Sequence, residues 1–285
     1  MEPIRIGCVR FLNTTPLIEG LETCPEITLV RGAPSHLAGM LEDGSVEIAL
    51  ASLIDAARSR TPLAILPVGM IGCDGPTLTV RLFSEAPFKD VTEVHADSES
   101  HTSVVLCRVV LEKMFGARPA FVEFDAREQI EPGGAGKRPR AVLLIGDKVV
   151  TGAPGRERYP HELDLGEAWK TMTGLPFVYA AWMCRRHEAA SERVRLAAAL
   201  LDRQRRRNQM RLDWIAEVRG SEHRWPVELA RKYLREHLRF EIGEREREAA
   251  ERFVREAAAA GAVEKGELVW TSGVGSAVET AHTAS

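Results

Sequence analysis

The side chains of this chain that could do chemistry are neutral donors, and they fall where strands hand over to helices. In RFLNTTPLIEGL, residues 10 to 21, an apolar strand ends and a proline-led helix begins, so Asn13, Thr14 and Thr15 sit at the handover. Pro16 at a first helical turn loses no useful N–H. In DSESHTSVVL, residues 97 to 106, Ser100, Thr102 and Ser103 bring hydroxyls and free backbone N–H groups to the positive end of a helix, which suits a carboxylate. Ser52 follows a strand end at 48–50, and Gly146-Asp147 follow another at 143–145. Gly146 would let backbone approach a ligand closely. In open α/β sheets such strand ends form the binding crevice. Plainer roles compete at each place: Asn13 as an Asx turn or helix cap, Ser100 as an ordinary cap, and Asp147 as a cap or a bridge between lobes.

The elements that must position these residues alternate through the first 180 residues. Strands are expected at 4–9, 28–31, 48–50, 63–68, 77–83, 93–96, 120–124 and 141–145, and helices at 16–21, 34–43, 53–58, 102–115 and 166–173. Strands separated by helices read as βα units around mainly parallel sheets. The stretch EPGGAGKRPR, residues 131 to 140, reads as an exposed loop. FVYAAWM, residues 177 to 183, reads as a buried strand, and helices are expected after it at 188–219, 226–238 and 244–260. The expected division has lobe one at 1–85 plus 180–270, lobe two at 86–179, and a disordered tail at 271–285. A chain that enters lobe two once and returns once leaves two crossing segments, a natural hinge.

Composition narrows the function. Charged residues are 28% of the chain and the formal net charge is −3, so no bulk field argues for nucleic acid. RQRRRN at 203–208 reads as a solvated helix face among acidic neighbours. No stretch approaches the ~20 apolar residues needed to span a bilayer, and no secretory signal stands at the N-terminus. Cysteines number five, with no C-x-x-C pair, which argues against zinc or a disulfide framework and fits a reducing cytoplasm.

Five segments carry a family resemblance: RFLNTTPL, VGMIGCDGPTLTVRLFS (68–84), DSESHTSVVL, AVLLIGDKVV (141–150) and DLGEAWKTMTGLPFVYAAW (164–182). In this order and spacing they resemble the chorismate dehydratases of the futalosine route to menaquinone, over residues 4 to about 260. The resemblance implies a two-lobed α/β fold like the type-II periplasmic binding proteins, with a ligand cleft between the lobes, in a cytoplasmic enzyme. It implies loss of water from chorismate to give 3-[(1-carboxyvinyl)oxy]benzoate, with the substrate's own enolpyruvyl carboxylate as base and no metal or organic cofactor. No nucleic acid or membrane partner is implied.

The resemblance also assigns roles. Asn13 matches the family asparagine expected to steer a substrate carboxylate. Thr79 stands where the family usually has serine, so a hydroxyl is kept and a methyl added. Ser52, Ser100, Thr102, Ser103 and Gly146 are expected to bind substrate. His101 is expected at the rim, and Trp169, Trp182 and Phe177 in the core. Three other functions compete. A carboxylate-binding module would share the fold. A sister lyase acting on cyclic dehypoxanthinyl futalosine would need a base in the crevice, for which His101 is the candidate. A ligand-sensing regulator would need an attached DNA-reading domain.

Overall fold

The computed structural model describes residues 2–97, 99–124, 139–264 and 266–271. Residues 131–138 of the expected loop and 272–285 of the expected tail lie outside them. Among the described residues eleven strands form two sheets: β1 (Ile4–Cys8), β2 (Ile27–Arg31), β3 (Ile48–Ser52), β4 (Leu63–Cys73), β5 (Val80–Ser84), β6 (Glu93–Asp97), β7 (Ala120–Phe124), β8 (Ala141–Ile145), β9 (His161–Asp164), β10 (Phe177–Arg185) and β11 (Leu238–Arg239). The first sheet has order β11-β4-β10-β3-β1-β2 and the second β7-β6-β8-β5-β9. β1, β2 and β3 run parallel, with β10 antiparallel between β3 and β4. β3, IALAS, is buried at every position, as expected of a strand covered on both faces.

Several elements differ from the sequence reading. β5 pairs with β8 and β9 in the second sheet, so a division at residue 85 would put it on the wrong side. Its partner β9, HELD, is too short and polar to announce itself as a strand. β4 runs on to Cys73, past Pro67 and Gly69, because two register shifts against β10 absorb the irregular residues. Gly69 is closely packed there: a Cβ would stand 3.1 Å from both Leu17 Cδ2 and Trp182 Nε1. The long helix expected at 188–219 is two, Glu192–Gln209 and Leu212–Glu222. Buried Gln204 and Asn208 both donate to the Glu19 carbonyl, at 2.5 and 2.9 Å, and Arg211 N–H turns back onto the Asn208 carbonyl. The basic run is therefore only partly solvated. Arg203, Arg206 and Arg207 are exposed, but Arg205 is buried and paired with Asp202.

Two segments cross between the sheets, 74–79 and 165–176. Asp164 ties them together. It caps the helix Leu165–Thr173 by accepting from Gly166 and Glu167 N–H, and it also accepts from Thr77 N–H at 2.9 Å and Leu78 N–H at 2.7 Å. That grip holds Leu78 at φ 72°, a conformation that L-residues seldom adopt. Gly166 lies against the first crossing, where a Cβ would clash with Thr77 Oγ1 and stand 2.6 Å from both Cys73 Sγ and the Gly75 carbonyl. We expect Gly166→Ala to destabilise the protein by about 3 kcal/mol or more, at the severe end of overpacking. Gly39→Ala, in the helix Leu37–Glu42 where a Cβ meets nothing within 4 Å, should leave stability equal or higher. Urea unfolding midpoints of the two variants check the contrast, and a tolerated Gly166→Ala would show that the crossings are not packed this closely.

Candidate active site

A cleft of about 630 Å³, its open mouth included, lies between the two sheets. Its walls are apolar, with Val9, Leu50, Ile71, Val80, Ile145 and Leu238 among the lining residues. Its polar groups come from turns that leave strand ends. Asn13 follows β1, Ser52 ends β3, Thr77 and Thr79 belong to the first crossing, and Gly146 follows β8. Ser100 and Ser103 open the helix His101–Phe115.

Six of the seven expected residues, Asn13, Ser52, Thr79, Ser100, Ser103 and Gly146, line this one cleft. Thr102 does not. Its side chain is buried behind the wall, where Oγ1 accepts from Ile54 N–H at 3.2 Å and pins the helix to the first sheet's side. Thr102 stands two residues after the Ser100 cap and so points to a different face from Ser100 and Ser103, since helical positions step by about 100°. Gly146 lines the cleft but spends its N–H on the Thr79 carbonyl at 2.8 Å, so it shapes the wall and offers no free donor there. Its φ of 64° fits glycine. Thr79 precedes β5 in a bend, so it is not the strand residue that its β-branching suggests.

The hydroxyls are held in pairs. Ser100 caps its helix by accepting from Ser103 N–H, and Ser100 Oγ donates to Ser103 Oγ at 2.7 Å. Thr79 Oγ1 lies 2.8 Å from Tyr233 Oη, and Thr77 Oγ1 lies 2.6 Å from Tyr179 Oη. Sequence reasoning missed both tyrosines. Tyr179 lies in a run that reads as plain core strand. Tyr233 lies 154 residues beyond Thr79, in a segment that reads as helix. Burial pushes both phenols well above their usual range, so each remains a neutral donor at physiological pH. Burial also raises the Cys73 thiol, to about 12, which leaves it protonated.

Charge is kept at the margins. Glu99 is the one acidic lining residue among those described, and the Lys148 ammonium stands 2.7 Å from it and 2.6 Å from Asp97. Asp147 bridges the two halves, accepting from Trp225 Nε1 at 2.9 Å and meeting His223 Nδ1 at 3.0 Å. Asp74 is held by Lys170 across the crossings. Trp169, Trp182 and Phe177 are buried in the core. Among the described residues no cluster of three His, Cys, Asp or Glu side chains could hold a metal ion, and no helix is long and apolar enough to cross a membrane.

Two sheets, two crossings and a cleft between them define a periplasmic-binding-protein-like fold. Solved structures agree with that. The chain aligns with protein AF1704 of Archaeoglobus fulgidus at TM-score 0.64 and 15% identity, covering 92% of this chain and 99% of that one. It aligns with the alkanesulfonate-binding protein SsuA of Xanthomonas axonopodis, bound to MOPS, at TM-score 0.62 and 16% identity, covering 94% and 96%. The sequence pattern of a family described as menaquinone biosynthesis matches residues 4–259, and the chain belongs to that family. A relative named chorismate dehydratase, from Thermus thermophilus, is 28% identical over 200 residues, which is 65% of this chain and 71% of that protein.

His101 does not line the cleft. Its Nδ1 stands 2.8 Å from Asp55 Oδ1, and this pair joins the helix His101–Phe115 to the helix Asp55–Arg58. The hydrogen bond to Asp55 raises the His101 pKa above its usual value, against burial and the nearby Arg58, with Glu123 assisting. A raised folded-state pKa means that the pair's stabilisation is complete below about pH 6.5 and is lost as pH rises through the folded value. The destabilisation caused by Asp55→Asn, read from urea midpoints, should therefore be largest near about pH 6 and shrink at about pH 9. An equal loss at both pH values would show that the imidazole is not charged in the pair.

Proposed function

We propose that this protein removes water from chorismate to give 3-[(1-carboxyvinyl)oxy]benzoate. The observation that carries the reading is the convergence of uncharged donors on one apolar cleft in a chain of this family. Chorismate has two carboxylates, a ring hydroxyl and a ring C–H that must lose its proton. The enolpyruvyl carboxylate takes that proton, the electron pair enters the ring, the C–O bond to the hydroxyl breaks, and the departing hydroxide takes the proton from the carboxylic acid and leaves as water, with the carboxylate restored. The ring becomes aromatic, and the balance needs no oxidant or reductant.

The enzyme's part is then positioning and fixed dipoles. Asn13 aligns the reacting carboxylate. The Thr79 hydroxyl donates to the departing oxygen. Ser100 and Ser103, at the N-terminus of a 15-residue helix, receive the other carboxylate, with Ser52 on the facing wall. Lining the cleft with neutral donors leaves the substrate carboxylate basic, whereas a bidentate arginine would hold it as a stable ion pair. The apolar wall excludes water and fits a flat six-membered ring. The crossings at 74–79 and 165–176 are the hinge in this reading. The five free cysteines suit a reducing cytoplasm. The sister-lyase alternative loses its base, since His101 faces Asp55 and no histidine lines the cleft among the described residues.

Purified protein incubated with chorismate alone should yield a product lighter by one water, followed by chromatography and mass, and chelation should not stop it. Asn13→Ala should keep its melting temperature and lose about a hundredfold in kcat, the usual scale for one fixed donor to developing charge. Activity that returns only with added metal would overturn the mechanism, and parental kcat in Asn13→Ala would reduce Asn13 to a turn residue.

A further inference from the structure

Tyr233 is set into the cleft by an unusual arrangement. The helix Val227–Lys232 gives way to a single π turn at Tyr233–His237, a feature that recurs at functional sites. The widened turn carries the phenol into the cleft wall, where the ring stacks on Trp225 at 4.8 Å and 22°. Trp225 is itself fixed by its Nε1–H bond to Asp147, so the ring is clamped from the second sheet's side. Its Oη then meets the hydroxyl assigned to the chemistry, Thr79 Oγ1, at 2.8 Å.

Thr79 and Tyr233 each carry one hydroxyl proton, and only one of the two can lie between their oxygens. With the phenol proton on the Thr79 oxygen, the threonine's own proton is left for the cleft.

We propose that Tyr233 is a positioning residue for the dehydration, which orients the Thr79 hydroxyl so that its proton faces the departing oxygen. This rests on the chorismate reading of the site. The phenol touches no reacting atom. It sets the polarity of a relay that runs Tyr233, Thr79, departing hydroxyl. Burial keeps it neutral, so the relay persists across the physiological range. The relay also gives the extra methyl of Thr79 a place. Threonine has fewer rotamers than serine, and its hydroxyl is held by the phenol on one side.

The test is a double-mutant cycle on chorismate turnover with Tyr233→Phe, Thr79→Val and the double variant, and Thr79→Ser as the conservative control. Tyr233→Phe should lower kcat at least tenfold with KM within twofold and an unchanged melting temperature. Thr79→Val should cost about a hundredfold alone and clearly less in the Tyr233→Phe background, because the hydroxyl it removes is already misdirected. Thr79→Ser, which keeps the hydroxyl, should lose far less kcat than Thr79→Val. If Tyr233→Phe folds poorly, 4-aminophenylalanine at 233 keeps the ring and a donor at the same position, and it should retain at least a tenth of parental kcat. Parental kcat in Tyr233→Phe, additive effects in the cycle, or a larger loss with 4-aminophenylalanine would overturn the role. A parent protein with no turnover of chorismate would instead overturn the functional reading on which it stands.

Discussion

The Asp164 carboxylate holds the whole arrangement in register. Both chain crossings must pass between the sheets in close contact, and each leaves backbone N–H groups with no ladder partner. One buried side chain accepts from four of them, at Thr77, Leu78, Gly166 and Glu167. Bonds of this charge-assisted kind contribute about 1.5–3 kcal/mol each, and removing the acceptor would leave buried donors unpaired. The consequences reach the cleft directly. Leu78 is held at positive φ, which turns the next residue so that Thr79 meets Tyr233, while the Thr79 carbonyl takes the Gly146 N–H. Gly166 is dictated by the same contact, since nothing larger fits between the crossings.

Given that frame, the cleft is a matter of neutral donors placed on an apolar wall. Charged groups nearby are held by partners: Lys148 by Asp97 and Glu99, Asp147 by His223 and Trp225, and Asp55 by His101. The contacts of Asp147 and Asp55 join the two halves of the fold, while Lys148, Asp97 and Glu99 all belong to the second sheet's side. Electrostatics thus ties the sheets together at the rim and leaves the interior to hydroxyl, amide and phenol groups. A substrate carboxylate in such a site keeps its basicity, which the proposed elimination needs.

Much of this was legible in the sequence, for definite reasons. Asn13 and Gly146 stand at strand-to-helix turns, and Ser100 and Ser103 at a helix start, places that local residue chemistry marks. Ser52 ends a strand of continuous apolar character. The DLG-x-x-W segment announced its importance by resemblance, and the fold supplies the physical content: Asp164 as cap and clamp, Gly166 as the close approach, and Trp169 packed on Phe177 and Phe253. What stayed hidden depends on long-range partners. Tyr233 meets Thr79 from far along the chain, and a π turn has no simple periodic signature. β9 forms only because β5 lies beside it. Thr102 sits between two lining serines, and only the phase of the helix sends it to the wall's far side. His101 reads as a rim base until Asp55 is placed next to it.

The dependence of the site on the clamp is tested most directly by amide hydrogen exchange on Asp164→Asn, monitored residue by residue alongside chorismate turnover. Asparagine keeps the side chain's size but loses the charge and one of two acceptors. We expect the Thr77, Leu78 and Gly146 amides to lose protection and turnover to collapse, while the amides of β1, β3 and β10 exchange as in the parent. Unchanged protection at Thr77 and Leu78 would contradict the claim that Asp164 holds the crossing, and lost protection with full turnover would contradict the claim that the crossing shapes the site.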